Sequence, residues 1–289
     1  MRVACVGVFD GVHIGHQALL GETNRVAKKT GLSPIALTFD PHPAKVLKPE
    51  ATLWQLTTIE QRIRLLLETK LIDSVEVVNF TLAMATTSAQ DFIDVILKQE
   101  YKIAHVVVGE NFNFGKDREG NVEMLRANGI EVTEAPLYEY EDSAVSSTRI
   151  RRLLIEGNIE LANKLLTRKH MVQGIVEHGD KRGRELGFPT ANTAIVESLC
   201  LPDDGVYKGY VEVEGYDKTY KSAISLGRRP TFYEERGLRL LEPYLLDFDA
   251  DIYGKTVKIH FELKIRDQIK FDSMEQLIAQ ITADVELCK

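Results

Sequence analysis

The order of apolar runs along the chain divides it into two halves with different periodicities. In the first half, β-like runs such as Val3–Val8 alternate with amphipathic stretches such as His16–Lys29. This alternation predicts βαβ units, and therefore a mostly parallel sheet of the α/β class. From about His170, short β-like runs follow one another without helices between them, until a helix predicted over Met274–Leu287 with Ser273 as its N-cap. The second half therefore predicts an antiparallel barrel or sandwich.

Composition places the chain among globular proteins with two domains. Its 289 residues are 44% hydrophobic and 27% charged, and we expect domains at residues 1–165 and 166–289. The formal net charge of −7 argues against sequence-blind nucleic-acid binding, which needs a basic surface. No apolar run reaches the roughly 18 residues of a membrane span. We therefore expect small-molecule ligands rather than nucleic acid or a membrane, and weak self-association is left open.

The cysteines and the first residues indicate a cytoplasmic protein. Cys5, Cys200 and Cys288 are far apart and show no zinc-site spacing, so we expect free thiols in a reducing compartment. The first apolar stretch runs directly into Asp10 and Gly11 without a small-residue cleavage site. We therefore interpret it as a strand and not as a signal peptide.

Polar loops are predicted to meet at one edge of the parallel sheet. Ligands on such sheets bind beyond the carboxyl ends of the strands. We therefore expect four segments to cluster there, namely Phe9–His16, Asp40–Pro43, Gly109–Gly115 and Ser146–Arg151. In the same half, Thr57 followed by Glu60 is a capping-box pattern that predicts a helix to about Thr69.

The segment from Gly7 to His16 carries the strongest chemical signal, and we call it the histidine turn. His13 and His16 lie three residues apart where a strand turns into a helix, which places them on one face. Free N–H groups and the positive end of the helix dipole make such a place an anion site, and Gly15 lets a phosphate approach the backbone. Imidazole N–H groups can stabilise negative charge that develops on phosphate oxygens. Two ordinary exposed histidines are the plainer interpretation, which the coincidence of glycines, spacing and context disfavours.

Two common nucleotide-binding motifs do not fit this half. The segment from Gly109 to Lys116 comes nearest to a Walker phosphate loop, but its gap is one residue too long. Asp117 also stands where that loop needs the Ser or Thr that holds magnesium. The glycine spacing of the histidine turn does not match the dinucleotide-binding pattern, which disfavours a dehydrogenase.

The segment Ser146–Arg151 opens a predicted helix. Its hydroxyl groups can cap that helix or bind phosphate, and an arginine can clamp pyrophosphate. Taken alone, an ordinary N-cap with surface arginines is the better interpretation. Together with the histidine turn, phosphate binding is favoured.

A glycine-rich basic loop marks the start of the second half. It runs from Gly174 to Asn192 and includes Lys181. Such a loop could close over a polyphosphate, although a solvated hairpin is the commoner form. The end of the loop, Gly187-Phe-Pro-Thr-Ala-Asn, changes this balance. Thr190 and Asn192 are oxygen donors on one face of an extended segment, as a magnesium ion prefers.

The first half resembles the nucleotidyltransferase superfamily, and in particular the FMN adenylyltransferase module of bacterial bifunctional FAD synthetases. The matching blocks are the histidine turn, Thr38–Pro43, Val108–Gly115 and Ser146–Arg151. The resemblance implies a nucleotidyltransferase-type parallel sheet that makes FAD and pyrophosphate from FMN and ATP with magnesium. It implies catalytic roles for His13, His16 and Arg151. It also implies ligand binding by Gly7, Phe9, Asp10, Gly15, Asp40, Pro41, His42, Asn111, Ser147 and Thr148, although many relatives have Asp in place of Asn111.

Residues 166–289 resemble the riboflavin kinase module, an antiparallel β-barrel with a C-terminal helix. The matching blocks are Gly187–Asn192, Pro202–Tyr207, Gly227–Phe232, Asp247–Asp249, Tyr253–Lys255 and Ile265–Phe271. The resemblance implies phosphorylation of riboflavin by ATP, with Glu242 as the base and Thr190 and Asn192 as Mg²⁺ ligands. It implies ligand binding by Gly174, Lys181, Gly187, Pro189 and Arg266. The chain departs from the family pattern at Ser225, where Asn is common, and at Gln268, where an acidic residue is usual. It also departs at Pro243-Tyr244, where a small residue and often His are expected.

The two resemblances together predict a bifunctional enzyme that makes FMN in its second domain and FAD in its first. Two alternatives stay open from the residues alone. An adenylyltransferase acting on another acceptor, such as nicotinamide mononucleotide or a pantetheine phosphate, would not need the second domain. A flavin-binding regulator or store would not need two sets of phosphate-binding residues. A fragment of an aminoacyl-tRNA synthetase is disfavoured by the acidic charge.

Overall fold

The structure is a computed structural model that describes residues 1–178, 187–195, 198–228 and 239–289. These residues form two compact units, Met1–Ser147 and Thr148–Lys289. Each unit is described by itself below. The helix Ile159–Leu166 belongs to the second unit, where Asn163 Nδ2 donates a hydrogen bond to the carbonyl oxygen of Phe261 at 2.9 Å. This helix includes residue 165, where we predict the boundary between the domains, and that boundary stays a prediction.

The first unit is built on a five-stranded parallel sheet, as the alternation of strands and helices predicts. The strand order is β3-β2-β1-β4-β5. The strands are β1 Arg2–Val6, β2 Ser33–Asp40, β3 Ser74–Asn79, β4 Ile103–Gly109 and β5 Glu131–Ala135, with a small hairpin of β6 Glu139–Tyr140 and β7 Ser143–Ala144. The helices are α1 Ile14–Thr30, α2 Pro43–Leu47, α3 Ile59–Glu68, α4 Leu82–Ala85, α5 Ala89–Asp91 continued by a π-helical segment Phe92–Glu100, a 3₁₀ turn Lys116–Arg118, and α6 Val122–Ala127.

The central strands of this sheet are apolar on both faces. Val3, Ala4 and Cys5 in β1 and Val106–Val108 in β4 are all fully buried. This pattern is typical of a parallel sheet with helices packed on both sides. Burial also raises the pKa of the Cys5 thiol to about 12, so this thiol stays protonated at neutral pH.

Helix α3 corrects one sequence prediction by one residue. The capping box is formed by Thr58 and Gln61, whose side chains reach each other's backbone N–H groups, and not by Thr57 and Glu60. Thr57 lies one residue before the cap. Its hydroxyl donates to Asp10 Oδ1 at 3.1 Å and accepts from the N–H of Gly11 at 3.2 Å. The threonine singled out by the sequence therefore contacts the histidine turn instead of starting the helix.

The second unit contains a closed antiparallel barrel, which decides between the barrel and the sandwich. Its strand order is β10-β11-β12-β9-β8-β13. The strands are β8 His170–Val176, β9 Thr193–Ile195, β10 Gly205–Val213, β11 Thr219–Arg228, β12 Arg239–Leu245 and β13 Thr256–Arg266. The helices are α7 Ser147–Ile155, which begins at the last residue of the first unit, α8 Ile159–Leu166 and α9 Met274–Cys288.

The C-terminal helix forms as the sequence predicts. Ser273 is its N-cap, and the Ser273 hydroxyl accepts a hydrogen bond from the N–H of Gln276 at 3.3 Å. Val285 and Cys288 pack with Ala223 of β11 in a small apolar cluster. Within the described ranges, no helix has the length and apolar character that crossing a membrane requires.

Gly209 tests how closely the barrel strands approach each other. A Cβ atom at Gly209 in β10 would overlap with the carbonyl oxygen of His260 in β13. We expect Gly209→Ala to lower the free energy of unfolding by about 1–3 kcal/mol, because the added methyl group forces the strands apart. Gly21, inside α1, is the control, since no described atom lies within 4 Å of its Cβ position. Gly21→Ala should stabilise by about 0.5–1 kcal/mol. Urea unfolding followed by circular dichroism measures both, and a neutral Gly209→Ala would contradict the close approach.

Candidate active sites

The histidine turn brings its two histidines into direct contact. His13 is the N-cap of α1, and its Nδ1 accepts a hydrogen bond from the N–H of His16 at 3.3 Å. The two rings are stacked, with centroids 3.5 Å apart and planes 18° apart. Phe9 packs edge-on against His16 with centroids 5.2 Å apart. The prediction that both imidazoles lie on one face at a helix start is confirmed by this geometry.

The backbone of the histidine turn is unusual in ways that its residue types explain only in part. Gly11 has a φ of 82°, which glycine adopts easily, but Phe9 and Val12 also have positive φ values of 54° and 41°. Such conformations cost energy in residues with side chains and cluster at functional sites. Gly15 is needed for a second reason, since a Cβ there would lie 3.2 Å from His13 Nδ1. The lack of a side chain at Gly15 therefore leaves room for the His13 ring to stack on His16.

Asp10 holds the histidine turn against the segment that precedes α3. Its carboxylate accepts hydrogen bonds from the N–H groups of Leu56 and Thr57 at 3.0–3.1 Å and from the Thr57 hydroxyl at 3.1 Å. The side chain is almost fully buried, with 1% exposed. Buried carboxylates are stabilised by several donors of this kind. Asp10 was predicted as a ligand-binding residue, and its role in binding stays a prediction. These hydrogen bonds give it a structural role.

Arg62 is a buried residue that the sequence analysis did not single out, and it is close enough to the histidine turn to feel the charge of Asp10. Its side chain is fully buried in α3, and Nη1 donates to the carbonyl oxygen of Phe39 at 3.1 Å. Its Nε and Nη2 atoms are buried without a hydrogen-bond partner among the described residues. Burial lowers the pKa of this guanidinium, and the nearby charges of Asp10 and Asp40 oppose that shift. A buried cation therefore lies beneath the loop that begins at Asp40.

The other predicted residues of the first unit lie in loops after its strands. The Asp40–Pro41 peptide bond is cis, and His42 caps α2 by accepting the N–H of Ala44 on Nδ1 at 3.0 Å. Asn111 is exposed in the loop after β4. The loops after β1, β2 and β4 lie at the same edge because the three strands are parallel and adjacent. The predicted clustering at the carboxyl ends therefore holds for these three segments.

The start of α7 supplies the remaining predicted groups. The Ser147 hydroxyl donates to the carbonyl oxygen of Asp10 at 2.8 Å, so this residue reaches the histidine turn. Thr148 is exposed in the first turn of the helix, and Arg151 is half-buried one turn later. A helix N-terminus with a hydroxyl and an arginine at this spacing suits an anionic group.

The barrel places the predicted base and one of the two predicted magnesium ligands in one row across three neighbouring segments. Glu242 in β12 pairs directly with Ser225 in β11. On the other side of β12, Thr193 pairs with Leu241 and Thr190 with Tyr244, so the same register places Asn192 opposite Glu242. Directly opposite residues of antiparallel strands point to the same face. We call Ser225, Glu242 and Asn192 the Glu242 row.

The Glu242 row lies on the outer face of the barrel. Glu242 and Ser225 are half-buried, whereas the alternating neighbours Leu241 and Leu226 are buried in the barrel interior. Thr190 lies two residues before Asn192 and therefore shares its face. The predicted pair of oxygen donors thus lies beside the predicted base, which spacing along the chain alone could not establish.

Two of the remaining predicted residues of the barrel make contacts that stabilise the fold. A Cβ at Gly174 would overlap with the carbonyl oxygen of Ala194, so Gly174 lets β8 and β9 approach. The Arg266 guanidinium is held by Asp284 of α9, with Nη2 to Oδ2 at 2.6 Å. Gly187 has a φ of 82°, and Pro189 is exposed. Lys181, with the rest of the basic loop, lies outside the described residues.

Comparison with known proteins links each half to a family. The family model described as FAD synthetase matches residues 1–149, and the one described as riboflavin kinase matches residues 166–289. A protein of Listeria monocytogenes named bifunctional riboflavin kinase/FMN adenylyltransferase is 38% identical over 287 residues, which is 98% of this chain and 90% of that protein. The protein of Bacillus subtilis with the same name is 37% identical over 289 residues, with the same coverage.

The chain belongs to the bifunctional riboflavin kinase/FMN adenylyltransferase family. The resemblance seen in both halves of the sequence is therefore confirmed, and so is the pairing of a parallel α/β sheet with an antiparallel barrel and a C-terminal helix. A solved Streptococcus pneumoniae protein whose title names a macrolide-efflux protein has a TM-score of 0.89 and 33% identity, covering 99% of this chain and 93% of that one. The two family models leave residues 150–165 unmatched.

The hydrogen bonds of Asp10 can be tested by a change that preserves its size. In Asp10→Asn, an amide nitrogen replaces one oxygen and brings hydrogens towards the donors at Leu56 and Thr57. We expect the free energy of unfolding to fall by about 2–3 kcal/mol, because buried donors lose their acceptor. Thr57→Ser keeps the hydroxyl and should cost only about 1 kcal/mol for one methyl group. Urea unfolding compares the two variants. If Asp10→Asn costs no more than Thr57→Ser, the carboxylate does not hold the turn.

Proposed function

We propose that the chain carries out the two reactions of its family at two separate sites, one in each unit. The second unit phosphorylates riboflavin to FMN with ATP, and the first unit adenylylates FMN to FAD with release of pyrophosphate. The observation that supports this proposal is the presence of two separate clusters of side chains whose chemistry suits phosphate and magnesium. These are the stacked histidines at the start of α1 and the Glu242 row on the barrel.

In the first unit, His13 and His16 are proposed to stabilise the phosphates of ATP. Because the Nδ1 of His13 accepts a backbone N–H, the hydrogen of its neutral ring lies on Nε2, which can donate to a phosphate oxygen. An oxygen of the FMN phosphate attacks the α-phosphorus of ATP, and the bond to pyrophosphate breaks. The positive end of α1 adds to the stabilisation of charge in the transition state. No side chain has to form a covalent intermediate, because positioning and electrostatics supply the catalysis.

Ser147, the first residue of α7 and the last of the first unit, is proposed to hold the pyrophosphate side of ATP. Ser147 is placed against the histidine turn by its hydrogen bond to Asp10, which supports this role. Thr148 and Arg151 come next on the helix but belong to the second unit, and their predicted roles stay as the family resemblance implies them. A guanidinium binds phosphate oxygens in a fork geometry that an ammonium cannot match.

In the second unit, Glu242 is proposed as the general base. It would accept the proton of the ribityl 5′-hydroxyl while that oxygen attacks the γ-phosphorus of ATP, and ADP would leave. A general base must lie within hydrogen-bond reach of the proton it removes. Glu242 is half-buried on the outer face of the barrel, a position that fits this role.

The residues beside Glu242 fit a magnesium ion. Magnesium prefers oxygen ligands and usually keeps several waters and substrate phosphate oxygens in its shell. The Thr190 hydroxyl and the Asn192 amide oxygen are ligands of this type, and the register places them on the face of Glu242. When bound, Mg²⁺ neutralises charge on the ATP phosphates. Within the described part of the chain, no group of three or more His, Cys, Asp or Glu offers another metal site.

The cellular setting stays as the sequence predicts it. We propose a cytoplasmic enzyme whose partners are ATP, riboflavin and FMN. All three cysteines are buried free thiols, which agrees with a reducing compartment. That the protein binds no nucleic acid stays a prediction. Weak self-association stays open.

Two substitutions should separate the two activities. We expect His16→Ala to lower FAD formation at least about 100-fold, because a donor to charged phosphate oxygens is lost, and to leave FMN formation unchanged. Glu242→Gln should have the opposite effect. The measurement is chromatography of the products after incubation with riboflavin, ATP and Mg²⁺, with FMN supplied separately for the second step.

Circular dichroism serves as the control for folding of both variants. If either variant lost both products equally while folded, the assignment of two sites would be wrong. If the parent protein made neither FMN nor FAD, the proposed function itself would be rejected.

The magnesium ligands can be tested by titration with the metal. We expect Thr190→Val together with Asn192→Ala to raise the Mg²⁺ concentration for half-maximal FMN formation by about tenfold or more, as removal of two oxygen ligands weakens the site. The Mg²⁺ dependence of FAD formation should stay the same, which gives an internal control in the same protein. If the Mg²⁺ concentration needed for FMN formation were unchanged, the assignment of Thr190 and Asn192 as metal ligands would be wrong.

A further inference from the structure

Gln268 ties the segment between β13 and α9 to the outer face of the barrel. Its Nε2 lies 3.2 Å from Ser225 Oγ, 3.3 Å from the carbonyl oxygen of Gly205 and 3.1 Å from that of Leu226. A side-chain amide has two hydrogens, so three acceptors share them. One side chain therefore connects the segment after β13 to strands β10 and β11.

Gly227 provides a second observation for the same contact. A Cβ atom at this position would lie 3.1–3.3 Å from Nε2, Cδ and Cγ of Gln268. Gly227 is two residues after Ser225 in β11 and shares its face of the strand. The Gln268 side chain therefore lies flat on the outer face of β11, over a position that has no side chain.

This contact extends the Glu242 row by one residue. Along the outer face, Gln268 touches Ser225, Ser225 pairs with Glu242, and Asn192 lies opposite Glu242. The proposed magnesium ligands, and with them the phosphates of ATP, occupy the Asn192 end of the row. The attacking hydroxyl must reach Glu242 from another direction, and the other end of the row is the one that Gln268 holds.

We propose that Gln268, acting with Ser225, is a positioning residue for riboflavin in the kinase reaction. It holds the segment Asp267–Asp272 on β11, so that this edge of the flavin-binding surface is formed before the substrate arrives. The proposal rests on the proposed role of Glu242. It assigns a purpose to two of the departures from the family pattern, because Ser225 and Gln268 contact each other.

The test is the kinetics of the kinase step in Gln268→Glu. The carboxylate has the same shape but no hydrogens, and it faces the carbonyl oxygens of Gly205 and Leu226. We expect the KM for riboflavin to rise about five- to tenfold, the loss that one or two net hydrogen bonds would cause. The kcat should stay within about twofold of the parent, because the base and the metal ligands are untouched. FAD formation from supplied FMN should not change.

Gln90→Glu is the matched control. Gln90 is an exposed glutamine in the first unit whose Nε2 also donates to side chains, Asp94 and Asn128. This variant adds the same charge to the chain and should leave the riboflavin KM unchanged. A double-mutant cycle of Ser225→Ala and Gln268→Leu should be non-additive, because the two side chains act through one contact. Thermal unfolding checks that each variant is folded.

Three outcomes would overturn the proposal. They are a riboflavin KM within twofold of the parent in Gln268→Glu, a fall in kcat at unchanged KM, and full additivity of Ser225→Ala and Gln268→Leu. The failure of the proposed function looks different. If Glu242→Gln kept its kinase turnover, the base would be misassigned, whereas the effect of Gln268 on the riboflavin KM is measured independently.

Discussion

The register of the antiparallel ladder around β12 is the constraint on which the proposed kinase site depends. Ser225, Glu242 and Asn192 are far apart in the sequence, and only the pairing of three neighbouring segments places them in one row. A shift of one residue in a strand turns its side chains to the opposite face. In this barrel, that shift would bury Glu242 in the interior and expose an apolar neighbour. The hydrophobic alternation that closes the barrel therefore also sets the position of the proposed base.

The site of the first unit depends on a different kind of constraint. The groups proposed to bind phosphate lie at the start of α1, and their position is set by the loop between β1 and that helix. Asp10 holds this loop to Leu56 and Thr57, and Ser147 donates to the carbonyl oxygen of Asp10. Three distant segments thus meet at one residue. A loop with positive φ values at residues with side chains needs such external support to persist.

The sequence could predict the elements and the motifs because both depend on local patterns. The parallel sheet follows from alternating strands and helices, and the stacking of His13 and His16 follows from their spacing at a helix start. The capping box was misplaced by one residue because Thr57 and Thr58 are adjacent threonines. The Thr57 hydroxyl instead donates to Asp10, which is 47 positions earlier in the chain.

The residues that the sequence did not reveal act through contacts between distant segments. Arg62 is one of them, because it is fully buried and donates a hydrogen bond to the carbonyl oxygen of Phe39 in β2. The helical spacing could have pointed to Arg62 as a buried residue, because it lies one turn before Leu66 on the buried face of α3. Lys181 and the basic loop lie outside the described residues, so the suggestion that this loop closes over a polyphosphate stays a prediction.

Two of the departures from the family pattern, Ser225 and Gln268, show why substitutions at a site are better interpreted in pairs. Taken separately, Ser225 shortens a side chain and Gln268 removes a charge, and each suggests a weakened site. In the structure they contact each other, because the neutral amide of Gln268 donates to the Ser225 hydroxyl as well as to two carbonyl oxygens. An acidic side chain at position 268 could not make the bonds to the carbonyl oxygens, since it lacks the hydrogens. The neutral residue is therefore suited to its neighbours, and a departure that looks like a loss is consistent with a site held together by a different set of donors.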